Sequence, residues 1–408
     1  MTSNRAAKRI LLLSGFRIFP VFTGGHVHSG GVAQALAKMG HEVRIYSLAG
    51  RQGDYSLRGM MTGARRIDVI SPNLTEETNL GLLYGVLQTL MRRFDIPRVW
   101  LHGLLRMGIV PHGLRDALRK ADIIICDLPW CAKVPGSWST KQWYMLSHNL
   151  EHRLLEQGSP RQRRFAPWMR RVEQQAPVVF SDIFACAEED QTFFRSHAST
   201  GQQRFPLIRC GVDPDDYKVS PGTRERLRAE LGLNDADHLL VFSGSGYAPN
   251  VEALATLREF ARAQADFLAR LRVHILVLGS VASAASREGA LITTGRVPEV
   301  VPYFAAADAG LNPVVRGSGS NVKVFEYLAA RLPIISTPFG MRGTELRAPE
   351  DYLSYEGETL VDAIKTFVAS RTRWEWREHA EAVWQRHSGS CDINELVRQA
   401  IAPLPDFQ

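Results

Sequence analysis

The strongest constraint on the fold is a rhythm. Short, wholly apolar runs end at a small or polar residue, pass through a glycine-bearing turn and lead into helical periodicity. Residues 9–14 (RILLLS) open one such series, and residues 239–242 (LLVF) open another. A continuous apolar run bounded by turn residues suits a strand buried on both faces, and strands alternating with helices specify a parallel sheet. In the first series the strand at 9–14 is followed by a loop from Phe16 to Gly25 and a helix from His26 to Met39. Gly40 stops that helix, and a strand follows at 42–48. Residues 121–128 (ADIIICDL) and 142–147 (QWYMLS) are further buried strands. The latter delivers His148-Asn149-Leu150-Glu151 to its carboxyl end, the edge where open α/β sheets bind ligands.

Residues 80–120 are helical and basic, interrupted by Pro97 and Pro111, and a long helical stretch covers 151–177. Strands are expected at 183–187 and 205–210. Gly211-Val212-Asp213-Pro214-Asp215-Asp216-Tyr217 then looks like a connector. The rhythm restarts with the 239–242 strand, the turn Ser243-Gly244-Ser245-Gly246, a helix from Pro249 to Arg270, and strands at 273–278, 291–294 and 309–315. A chain of 408 residues is too long for one core. The expected fold is α/β, with two Rossmann-like domains facing across a cleft. Residues 1–204 form the first, residues 205–385 the second, and a tail at 386–408 returns to the first.

Composition narrows the partners. Hydrophobic residues at 45% and charged residues at 22% fit a globular protein. A formal net charge of +7 and a pI near 9.3 favour anionic partners such as nucleotides or anionic membrane surfaces. No nucleic-acid-binding motif is present. The five cysteines are scattered, with no CxxC pair, which argues against a disulfide framework or zinc site and for a reducing compartment. No run approaches the roughly 20 apolar residues of a membrane span, so a cytoplasmic protein is expected. Residues 161–171 hold five arginines and no acid, interleaved with Phe165, Trp168 and Met169. They form either a solvated helix face or a patch that rests on the inner membrane leaflet through Arg163, Arg164 and Trp168.

One stretch carries chemistry. Gly317-Ser318-Gly319-Ser320-Asn321-Val322-Lys323-Val324-Phe325-Glu326 reads as a Gly-rich turn opening a helix, and 333–338 reads as a buried strand. Ser320 or Asn321 can cap that helix, whose free N–H groups form an anion seat. Lys323 lies in the first turn and Glu326 one turn deeper on the same face, placed to accept hydrogen bonds from two ribose hydroxyls. The set describes a nucleotide-diphosphate seat. The competing interpretation is an ordinary αβ unit with Lys323 and Glu326 in a surface ion pair.

These residues resemble the GT-B glycosyltransferases of family 4. The likeness rests on Gly24-Gly25, Gly40-His41-Glu42-Val43, Gly211-Val212-Asp213, the Ser243–Gly246 turn with Pro249-Asn250, and residues 295–308. It is most specific over 317–343. It implies a nucleotide-sugar donor held by the second domain, an acceptor held by the first, and retaining transfer, in surface polysaccharide or glycoconjugate synthesis. Lys323 would hold the diphosphate, Glu326 the ribose, and His148 the donor sugar. Gly24, Gly25, Gly244, Ser245, Gly246, Arg296, Val297 and residues Ser318, Gly319, Ser320, Asn321 and Val322 would complete the donor site. His26 and His28 would face the acceptor side.

The sequence departs from that pattern at Ser318, where the family commonly has a second glutamate. It also lacks a cation pair after Ser243–Gly246, for which Arg296 or Arg316 could substitute. Alternatives are a nucleotide-sugar epimerase on the same fold, or a non-catalytic nucleotide-sugar-binding subunit. No cofactor or metal is expected. Asp213-Pro214-Asp215 spells a metal-binding Asp-x-Asp but sits among turn formers. His26 and His28 read as exposed or cap-region histidines, not as a metal pair.

Overall fold

The computed structural model describes residues 7–21, 23–50, 65–131, 133–136, 138, 140–199, 201, 203–317 and 321–407. The chain divides into two compact units, one of residues 1–209 with 393–408, the other of residues 210–392. The sequence-based boundaries fall at 204/205 and 385/386, a few residues short of these divisions.

Among the described residues the first unit is built on seven strands: β1 (Arg9–Ser14), β2 (Glu42–Ser47), β3 (Arg65–Ser71), β4 (Leu74–Asn79), β5 (Ile123–Asp127), β6 (Gln142–Leu146) and β7 (Ile183–Phe184). Their order is β3-β4-β2-β1-β5-β6-β7, and only β3 runs antiparallel to its neighbour. β1 pairs with β2 on one side and β5 on the other, so Leu12 lies between Ile45 and Ile125. Alternation along each strand divides the core into two layers. Leu11, Leu13, Ile124 and Cys126 face one layer, and Ile10, Leu12, Ile123 and Ile125 face the other. The Gly24–Lys38 and Ile393–Ile401 helices close the second layer, with Ile393, Leu396 and Val397 buried in it. Gly31 permits their approach, because a Cβ there would lie 3.1 Å from the Ile393 side chain.

The second unit repeats the plan with β8 (His238–Ser243), β9 (Val273–Leu278), β10 (Ala285–Glu288), β11 (Leu291–Gly295), β12 (Ala309–Asn312), β13 (Ile334–Ser336) and β14 (Leu353–Ser354). The order is β10-β11-β9-β8-β12-β13-β14, with only β10 antiparallel to its neighbour. A buried ionic lock ties the start of this sheet to flanking helices. The Asp308 carboxylate accepts from Arg224 at 2.6 Å, Arg228 at 3.2 Å and the Leu239 N–H at 2.8 Å, and it pairs with Arg373 at 2.6 Å.

Several local expectations need correction. The 151–177 stretch is three helices, Glu151–Glu156, Pro160–Arg163 and Ala166–Val179. The chain restarts where the Ser159 hydroxyl accepts the Gln162 N–H and Pro160 takes a first-turn position. Residues 205–210 form a single bridge, Leu207 to Ala185, instead of a strand. β3, β4, β10 and β14 were not anticipated. β4 (LTEETN) lacks an apolar run because its buried acids are satisfied by partners distant in sequence. Glu76 accepts from Ser47 and from the Ile18 and Phe19 N–H groups at 2.6–2.8 Å. That carboxylate anchors the loop after β1.

Candidate functional site

In both sheets the chain reverses direction of travel next to the first strand: between β1 and β5, and between β8 and β12. Ligands of open α/β sheets bind at the carboxyl ends of the strands flanking such a point. Each unit concentrates polar groups there.

In the first unit, Ser14 ends β1, Asp127 ends β5, and His148 follows β6. Asp127 is fully buried. Its Oδ2 accepts from the Ser14 hydroxyl at 2.8 Å, and its Oδ1 accepts from the Ser29 hydroxyl at 2.8 Å and lies 2.9 Å from His148 Nε2. Burial alone would raise the Asp127 pKa, but His148 and the two hydroxyls outweigh it and hold the carboxyl below its usual range. Burial likewise works against a charged His148, yet the Asp127 carboxylate prevails and raises the imidazole above its ordinary value. With Nε2 committed to Asp127, Nδ1 is the atom turned to the head of the Gly24–Lys38 helix. A Cβ on Gly25 would lie 3.2 Å from it. When protonated, an imidazole so held donates a hydrogen bond from each ring nitrogen.

Gly24 and Gly25 head that helix, two residues earlier than expected, at positions whose N–H groups have no acceptor within the helix. His26 is half-buried beside Phe16, with ring centroids 5.0 Å apart. His28 is neither exposed nor a capping residue: it is fully buried, and its Nε2 lies 2.9 Å from the Ile208 carbonyl. Burial, then the charge on His148, pushes its pKa down to about 3. An acceptor-facing role for His28 is therefore excluded, since its place on the helix turns it into the core. Glu151, just beyond His148, accepts the Trp130 indole N–H at 2.9 Å. Burial and the neighbouring Glu173 push its pKa up to about 7.

In the second unit the Val322–Ala329 helix starts beside the turn at Gly317, whose φ of 138° is a conformation glycine tolerates. Ser318, Gly319 and Ser320 lie outside the described residues. Asn321 takes the N-cap position without capping: its amide donates to the Gly340 carbonyl at 2.8 Å. Lys323 is buried, not a surface ion-pair partner, and its ammonium donates to Asn250 Oδ1 at 3.3 Å and Asn321 Oδ1 at 3.4 Å. Burial, opposed by Glu326 and reinforced by Arg342, brings its pKa down to about 8. Glu326 accepts from the Tyr217 hydroxyl at 3.2 Å, and burial raises its pKa. The Ser243–Gly246 turn packs against the next turn, where the Gly246 N–H donates to Ser280 at 3.2 Å. Val322 and Val297 are half-buried, and Arg296 is exposed. Arg316 is bound in an ion pair with Glu252, which removes it as a substitute cation. Asp213 accepts the Asp215 N–H at 3.1 Å and Asp215 pairs with Lys218 at 2.6 Å, so the Asp-x-Asp serves a turn.

Residues 237–369 match the family described as Glycosyl transferases group 1. A search of curated proteins by sequence gives no match. Among solved structures the chain is similar to sucrose-phosphate synthase from Thermosynechococcus elongatus, at TM-score 0.63 and 17% identity over 97% of this chain and 100% of that one. It is also similar to HepE of Anabaena in complex with UDP, at 0.60 and 14% over 97% and 99%. WaaG, a glycosyltransferase involved in lipopolysaccharide biosynthesis, gives 0.56 and 17% over 97% and 99%. At these identities the likeness establishes the fold, which is GT-B.

Within the matched segment 237–369, sequence reasoning missed Arg342. Its guanidinium sits over the Phe339 ring at 4.3 Å, and a Cβ on Gly317 would meet its Nη2 at 3.3 Å. No local pattern marks it. Its place depends on the turn at 337–341, which Thr337 and Asn312 hold through Gly340. Asp127, Ser14 and Ser29 were missed for a similar reason, each belonging to a different segment. On the surface, Arg163 and Arg164 are exposed, but Trp168 is not their outward companion. It packs edge-on to His102, centroids 5.3 Å apart, against the Leu128, Trp130 and Met169 cluster.

Proposed function

We infer that the protein is a retaining family 4 glycosyltransferase that moves a sugar from a nucleoside-diphosphate sugar to a hydroxyl acceptor, without a metal ion. The observation that carries this is the pair of cations, Lys323 and Arg342, beside the Gly317 turn of a group 1 domain, with Glu326 one helical turn deeper. The diphosphate leaves with growing negative charge. Two partly desolvated cations and the N–H groups of a helix start stabilise it most where charge is greatest. Glu326, oriented by Tyr217, accepts from ribose hydroxyls. The acceptor hydroxyl attacks from the face the phosphate leaves, and a phosphate oxygen takes its proton. His148 donates to the transferred sugar.

UDP is the first nucleotide to test, because a structure of similar fold, Anabaena HepE, was solved with UDP and with UDP-glucose. A glycan or lipid-linked glycan is the proposed acceptor, and a cytoplasmic location is proposed, in keeping with five buried cysteines scattered along the chain without a CxxC pair.

Thermal unfolding with UDP-, GDP-, ADP- and dTDP-glucose, each with EDTA or manganese, tests the reading. A ligand at a hundred times its Kd stabilises by about 2.7 kcal/mol. The expected result is a rise in Tm with one nucleotide class, unchanged by EDTA and abolished in Lys323→Ala. Indifference to all four, or a shift that requires manganese, would overturn it.

A further inference from the structure

The Leu82–Arg93 helix of the first unit is turned the wrong way for a helix of a soluble domain. Only Tyr84 and Gly85 are buried, and Tyr84 is pinned inward by donating to the Ile109 carbonyl at 2.8 Å. Leu82, Leu83, Val86, Leu90 and Phe94 are each 40% to 50% exposed. At 3.6 residues per turn they fall within an arc of about 120°, a single outward stripe. Seven of the sixteen large apolar side chains exposed among the described residues lie between Leu82 and Ile109. A contiguous exposed apolar patch with a polar rim marks an interaction site.

The rim decides the partner. Arg92 and Arg93 end the helix and are exposed. The Pro160–Arg163 helix docks at the same end: Arg161 donates to the Phe94 carbonyl at 3.2 Å and Gln162 to Asp95 at 2.7 Å. Exposed Arg163 and Arg164 follow there. Asp95, the acid at this junction, is already engaged by Gln162 and Ser159. An apolar stripe flanked by arginines is complementary to a bilayer surface carrying anionic headgroups.

We propose that this face docks the protein on an anionic membrane, with Leu82, Leu83, Val86, Leu90 and Phe94 entering the headgroup boundary and Arg92, Arg93 and Arg161–Arg164 meeting lipid phosphates. The surface stands independently of the donor-site reading. The test is co-sedimentation of the full chain with vesicles of phosphatidylcholine alone or mixed with phosphatidylglycerol. The protein is expected to bind the mixed vesicles at low salt and to release at high salt. Arg92→Ala with Arg93→Ala should weaken binding about 30-fold, from roughly five-fold per arginine near the surface. Leu83→Asp with Leu90→Asp, both exposed and checked for folding by circular dichroism, should weaken it at least as much. Wild-type protein that ignores anionic vesicles, or variants that bind as well as wild type, would overturn the proposal. So would hydroxyl-radical labelling that finds Leu83, Leu90 and Phe94 protected without vesicles, which would mean that the chain itself or a second copy covers the face.

Discussion

Asp127→Asn keeps the shape of the buried site in the first unit and removes its charge. In the wild-type protein Asp127 lies 2.9 Å from His148 Nε2 and accepts two serine hydroxyls. Two unit charges about 4 Å apart attract by about 4 kcal/mol at an effective dielectric near 20. That attraction is what overcomes the burial of His148 and raises its pKa. Without it burial prevails, as it does at His28, where burial and the charge on His148 together push the imidazole down to about 3. Two consequences follow. First, the pKa of His148 should be lower in Asp127→Asn than in the wild type, where the carboxylate raises it. Second, breaking a buried pair should cost about 3–5 kcal/mol of stability.

The pH window is set by both shifts. Asp127 is depressed, so its contribution is lost as pH falls through its folded pKa. His148 is raised, so its contribution is lost as pH rises through its folded pKa. The variant should therefore lose most stability between those two values and least outside them. Nitrogen-15 NMR of labelled histidines, with His148 assigned from a His148→Gln sample, reads the protonation state without any assay of transfer. Urea unfolding across pH reads the stability. A His148 signal that titrates identically in both proteins would refute the reasoning.

Two further outcomes are expected. Lys323 carries its charge only below about 8, so UDP affinity should fall about ten-fold for each pH unit above that value. Isothermal titration calorimetry checks this, and an equally steep fall in Lys323→Ala would assign the effect elsewhere. Asp308→Ala leaves Arg224, Arg228 and Arg373 without their shared carboxylate, and should destabilise the protein by about 3–5 kcal/mol in denaturant unfolding. A loss below about 1 kcal/mol would place that lock among weak surface pairs.

The apolar runs at Ile10–Leu13, Ile123–Cys126 and Leu239–Phe242 determined the α/β plan by themselves, since a continuous buried run with helical neighbours leaves the chain few alternatives. Gly317, Lys323 and Glu326 were legible as a candidate site because their spacing is local to one turn and one helix. His148 was legible only as a residue at a strand end. Its pKa is raised by Asp127, and Asp127 meets it because β5 and β6 pair in register. Arg342, Glu76 and the outward stripe of the Leu82–Arg93 helix likewise carry no local mark. A polar group buried against a partner dozens of residues away, or an apolar face left uncovered, is decided by which segments pack together. Spacing along the chain encodes local geometry, while charge state and exposure belong to the packed structure.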